Sequence, residues 1–104
     1  MINDQPQPKT SPATLLALQT VQECISELTN VEPHDIIATD SLEEDLFLDV
    51  DTDVPKILAL VNKRLGLPLK ASAIAEFIKE IHQEPEKGTV GELVDLFSEE
   101  MEFA

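Results

Sequence analysis

The sequence EDLFLDVDTDV occupies residues 44–54 and separates two regions with helical patterns. Its carboxylates lead into an apolar face at helical spacing, formed by Val54, Ile57, Leu58, Val61 and Leu65. Asp51, Thr52 or Asp53 can cap the start of this helix, and Pro55 is tolerated only within a first turn. The stretch therefore predicts the entrance of a helix.

Three further segments show amphipathic helical spacing. The first begins at Ser11-Pro12 and can be closed by Asn30 in the left-handed conformation. The third runs from about Ala71 to His82, and the last opens with a capping box at residues 89–92. Their apolar faces are Leu15, Leu18, Val21, Ile25 and Leu28, then Ile74, Phe77, Ile78 and Ile81, then Val90, Leu93, Val94 and Phe97.

Four amphipathic segments without strand alternation predict an all-α, four-helix bundle. We expect a disordered tail over residues 1–10, where proline and polar residues predominate, the bundle over 11–100 and a C-terminal tail over 101–104. The long connection of residues 31–51 carries apolar groups that can lie across the bundle. A second capping box, Ser41 to Glu44, predicts one short helical turn in it.

The composition narrows the function classes. The 104 residues include 21 acidic and 7 basic side chains, a formal charge of −14, which disfavours nucleic-acid and membrane binding. The sequence contains no signal-peptide pattern or membrane span, so a cytoplasmic monomer is expected. A single cysteine, Cys24, gives no internal disulfide, and no nucleophile is paired with a general base, so we expect a protein that is not an enzyme.

A metal site has little support in the sequence. Asp49, Asp51 and Asp53 resemble the start of a calcium loop, but Val54 and Leu60 stand where that loop needs glycine and glutamate. Carboxylates beside a helix start are explained by capping and by the helix dipole.

Residues 44–54 resemble the modification motif of the acyl carrier protein family. In that family E-D-L is followed by Asp-Ser-Leu, and the serine carries a 4′-phosphopantetheine arm. Asp49 stands at the position of the family's aspartate, whereas Val50 takes the place of the serine and Asp51 that of the leucine. The resemblance covers residues 21–97 and implies a carrier-type four-helix bundle with a long first loop, here with an extended third helix.

Two functional hypotheses follow from this resemblance. Because valine offers no oxygen nucleophile, Val50 predicts a carrier-like module without a cofactor, acting by protein–protein docking beside an enzyme of fatty acid, polyketide or related lipid biosynthesis. The alternative is a functional but atypical carrier whose 4′-phosphopantetheine is attached to Ser41 or Thr52. The purely structural interpretation is that the Ser41 and Thr52 hydroxyls cap helix starts.

The charge pattern indicates the kind of partner. No lysine or arginine interrupts the acidic loop, which we define as residues 32–53. It is either a solvated loop or a docking surface for a partner with a basic surface. The following helix carries basic residues where the resemblance implies acidic ones. The candidate partner-binding residues are Glu43, Glu44, Asp45, Asp51, Asp53, Lys56, Lys63 and Arg64.

Overall fold

The computed structural model of the protein describes residues 12–103. Within this range the chain forms four α-helices and no strand, which confirms the all-α prediction. The helices are α1 (Pro12–Thr29), α2 (Asp53–Leu65), α3 (Ala71–Gln83) and α4 (Val90–Phe103). The predicted tail of residues 1–10 and the predicted cap Ser11 lie outside the described residues.

The helix ends follow the predicted signals. Asn30 ends α1 with φ 66°, and its N–H donates to the Ser26 carbonyl at 2.8 Å. Gly66 ends α2 with φ 65°. Near the C-terminus of the described chain, α4 continues through Phe103, so residues 101–103 are helical where the sequence predicts a tail. The half-buried Met101 packs against the core there and extends the apolar stripe of α4.

The core lies where α1 packs against both α2 and α4, while α3 packs mainly against α2. Because the apolar stripe of each helix must be covered, this arrangement removes several side chains from solvent completely. They are Ala17, Val21, Cys24 and Ile25 of α1, Val54, Ile57, Leu58 and Val61 of α2, and Val90, Leu93 and Phe97 of α4. The backbones of α3 and α4 approach each other little.

The connection between α1 and α2 is part of the core. Residues 12–103 contain two proline-initiated 3-10 turns, one in this connection at Pro33–Asp35 and the other at Pro85–Lys87. Gln22 of α1 donates its side-chain N–H to the Ile36 carbonyl at 2.8 Å, which holds the connection against the helix. Its buried apolar side chains are Ile36, Leu42, Leu46, Leu48 and Val50.

The same connection is also fixed to the start of α4. The Val90 N–H donates to the Asp40 carbonyl at 3.0 Å, and the Gly91 N–H donates to the Ala38 carbonyl at 2.8 Å. A Cβ atom at position 91 would lie 3.1 Å from the Ala38 oxygen, so glycine allows this close approach. The first part of the connection, residues 36–40, is therefore held by both α1 and α4.

Candidate functional site

Asp49 caps the entrance of α2. Its Oδ1 accepts the backbone N–H groups of Asp51 at 2.8 Å and Thr52 at 3.0 Å. Its carbonyl oxygen accepts the Asp53 N–H at 2.9 Å, and Asp53 Oδ2 accepts the Asp49 N–H at 2.9 Å in return. The bonds from the backbone N–H groups of residues 51 and 52 lower the pKa of Asp49.

This capping corrects one prediction. The helical turn begins at residue 49, so the role expected of Asp51, Thr52 or Asp53 belongs to Asp49. The N-cap role predicted for the Thr52 hydroxyl is wrong, because the Thr52 backbone is already in the helical region and its side chain makes no capping bond.

The side chains before α2 alternate between core and solvent. Leu46, Leu48 and Val50 are buried, with Val50 only 6% exposed, whereas the intervening residues 47, 49 and 51 are exposed. Burial thus alternates residue by residue over residues 46–51, into the turn that opens α2. Val50, the residue at the serine position of the acyl carrier resemblance, is thus a core side chain that faces away from solvent.

Phe47 is the residue that sequence reasoning missed. Its side chain is 85% exposed, and its φ of 56° lies in the left-handed region. A bulky residue there is strained, at a cost of about 1–3 kcal/mol. The signal was present in the sequence, because the apolar residues at 46, 48 and 50 define an inward phase and place Phe47 with Asp49 on the outward phase.

An open cleft of about 620 Å³ lies beside Phe47, between the end of α1 and the start of α2. Its walls are apolar at Leu28, Val31 and Leu48, and its polar lining includes Asp45, Thr29, Asp53 and Lys56. Because the cleft and the Phe47 ring are adjacent, the entrance of α2 presents an apolar surface bordered by carboxylates. We call Phe47, this cleft and the exposed carboxylates of residues 43–53 the entrance surface.

Ser41 has the predicted capping role. Its Oγ accepts the Glu44 N–H at 3.0 Å, within a single helical turn in which the Asp45 N–H donates to the Ser41 carbonyl. The reciprocal acceptor for the Ser41 N–H is Asp45 Oδ2 at 2.7 Å and not Glu44. Asp45 lies one full helical turn after Ser41, so its side chain, which is shorter than that of Glu44, reaches the Ser41 N–H.

Thr52 immediately precedes α2 and is exposed to solvent. The Thr52 side chain also helps to lower the pKa of Asp49. The structure thus places a solvent-facing hydroxyl two residues beyond Val50.

Several carboxylates of the acidic loop stabilise local structure. Asp45 and Asp53 accept backbone N–H groups, as described above, and Asp51 Oδ1 lies 2.8 Å from His82 Nε2 at the end of α3. This contact with Asp51 raises the pKa of His82. Glu43 and Glu44 are exposed, and neither side chain is in a salt bridge with another residue of the range 12–103.

The three predicted basic residues are not brought together. Lys56 lines the cleft at the entrance of α2. Lys63 and Arg64 lie in the last turn of α2, about 12 Å farther along the helix axis. Arg64 pairs with Glu27 of α1 at 2.6 Å, so it ties two helices together at the far end.

Other candidate chemistry is absent from the described part of the chain. Cys24 is fully buried, and this burial raises the pKa of its thiol. Between residues 12 and 103 no three His, Cys, Asp or Glu side chains are grouped to hold a metal ion. None of the helices in that range has the length and apolar character needed to cross a membrane.

Comparison with models of known protein families gives no match for this chain, and neither do comparisons with curated proteins and with solved structures.

Proposed function

We propose that this protein is an acyl-carrier-like interaction module that lacks the phosphopantetheine arm and docks a partner protein through the entrance surface. The partner is an enzyme of fatty acid, polyketide or related lipid biosynthesis with a basic surface. The fold class, the E-D-L stretch and the position of Asp49 support the carrier resemblance.

The burial of Val50 carries the proposal. An attachment residue must offer a nucleophilic oxygen to a transferase, and this position holds a hydrocarbon side chain in the core. The valine at position 50 therefore does not fit the 4′-phosphopantetheine that the resemblance implies.

Phe47 supports docking as the remaining role of this surface. Exposed aromatic side chains are common anchors of protein interfaces, and strained backbone is concentrated at functional sites. The surrounding carboxylates favour association with a basic surface, which speeds encounter and selects the partner.

A second candidate function rests on Thr52. Its exposed hydroxyl at the entrance of α2 supports an atypical carrier with the arm on Thr52, whereas the Ser41 oxygen is engaged as a cap.

The experiment that separates these functions is intact-mass measurement after incubation with coenzyme A and a broad-specificity phosphopantetheinyl transferase. An authentic acyl carrier protein is the positive control. The proposal expects no mass change in this protein. A gain of one arm, located by peptide mapping at Thr52 or Ser41, would establish the atypical carrier instead.

A further inference from the structure

A groove runs between α3 and α4 on a part of the molecule that shares no residue with the cleft of the entrance surface. It consists of three adjoining open depressions of about 390, 210 and 300 Å³. Neighbouring depressions share Ala73 and Glu76, and then Phe77, Glu80 and Leu96, so they form one continuous groove.

The floor of the groove is apolar. Ala73 and Phe77 of α3 lie one turn apart, and Leu96 of α4 lies opposite them. Phe77 is buried, whereas Ala73 and Leu96 remain half-exposed. The segment from Ala73 to Glu80 spans about 10 Å of helix axis, a length that two to three turns of another helix can cover.

The walls of the groove beside this floor are acidic on both sides, and Lys70 lines the end of the groove near the start of α3. Glu76 and Glu80 line the α3 side, and Glu92, Asp95 and Glu99 line the α4 side. All five carboxylates are exposed to water, and no salt bridge joins any of them to another residue of the described chain. Like charges four residues apart on a helix repel each other, and here two such pairs, 76 with 80 and 95 with 99, face one groove.

We propose that this groove binds an amphipathic basic helix of a partner protein. Apolar side chains of such a helix cover the floor, as in other helix-in-groove complexes. Its lysine or arginine side chains meet the carboxylates of the walls and relieve their mutual repulsion. The proposal adds a second binding surface and does not depend on the function of the entrance surface.

The charge of the groove excludes occupants from this chain. A second copy carries a formal charge of −14 and would be repelled. Residues 1–11 contain one lysine and one aspartate, so that segment offers no basic face. The occupant is therefore a separate, positively charged helix.

The test uses a synthetic peptide of about 14 residues, or four turns, with leucine at i, i+3, i+4 and i+7 and lysine elsewhere. A peptide with the same composition in scrambled order is the control. Amide NMR shifts map the contact on the full chain. We expect the largest shifts in residues 73–80 and 92–99, and binding at least about tenfold weaker for the scrambled peptide.

Two double variants with equal charge change locate the site. Glu80→Lys with Asp95→Lys alters the groove, and Glu43→Lys with Glu44→Lys alters the acidic loop. All four side chains are exposed, so the fold is retained, as circular dichroism will verify. The groove variant should lose at least about tenfold more affinity than the loop variant.

Three results would overturn the proposal. The first is an equal loss of peptide affinity in the two double variants. The second is a set of amide shifts centred on residues 43–53. The third is that the designed and scrambled peptides bind equally well, or that neither binds. Self-association of the wild-type protein through residues 73–80 and 92–99 would also overturn it, because a second copy would then occupy the groove.

Discussion

Substitution of Val50 by serine introduces the hydroxyl that the acyl carrier resemblance implies at this position and places it in the core. Val50 is 6% exposed, and burial of a valine side chain is worth about 1.5–3 kcal/mol. A buried hydroxyl without a partner costs about 1–3 kcal/mol more. Allowing for partial relaxation, Val50→Ser should lower the free energy of unfolding by about 2–4 kcal/mol, a large part of the stability of a small domain.

Urea unfolding followed by circular dichroism measures this loss. With a slope of about 2 kcal/mol per molar urea, the midpoint should fall by about 1–2 M. Thr52→Ser is the matched control, since it shortens an exposed β-branched residue nearby and should change stability by less than about 0.5 kcal/mol. An unfolding free energy of Val50→Ser within 0.5 kcal/mol of wild type would refute the burial of this side chain.

The same variant should remain a poor transferase substrate. Its hydroxyl faces the core, and Asp51 places a charge where the acyl carrier motif has leucine. Intact-mass measurement checks this expectation, and efficient gain of one arm would show that the surrounding surface is still competent for modification.

Three further predictions concern single residues. Phe47→Gly should raise the free energy of unfolding by about 1 kcal/mol, because glycine accepts a φ of 56° without strain. Phe47→Ala should give no such gain. Equal urea midpoints for the two variants would contradict this prediction. The buried Cys24 thiol should react with a maleimide only when the protein unfolds, and rapid labelling of the native protein would show that it is accessible. Asp51 raises the pKa of His82, so their contact stabilises the fold fully below about pH 6.5 and loses its effect as the pH rises through the raised pKa. NMR titration should show a lower His82 pKa in Asp51→Asn but not in Glu32→Gln, and an unchanged value in Asp51→Asn would exclude the contact.

The helices could be predicted because each signal acts over a few residues. Periodic apolar residues, the left-handed Asn30 and Gly66, and the Thr89 cap, whose Oγ1 accepts the Glu92 N–H at 3.3 Å, all depend on local geometry. The same is true of the single turn at Ser41.

The details of the site were harder to predict because several carboxylates compete for each free N–H. Asp45 and Asp49 took capping roles that the sequence assigned to neighbours, since a shift of one or two residues leaves the local pattern almost unchanged. The outward position of Phe47 follows from the alternation of apolar and other residues within residues 44–54, which helical periodicity obscures. The groove between α3 and α4 depends on how two helices are placed in space, and no local pattern encodes that separation.

Cysteine scanning of residues 46–51 tests the central claim that Val50, at the serine position of the acyl carrier resemblance, is part of the core. Single cysteines are introduced in a Cys24→Ala background, and maleimide labelling rates are measured under native conditions. We predict rapid labelling at positions 47, 49 and 51 and slow labelling at 46, 48 and 50. Labelling at position 50 as fast as at position 51 would contradict the account.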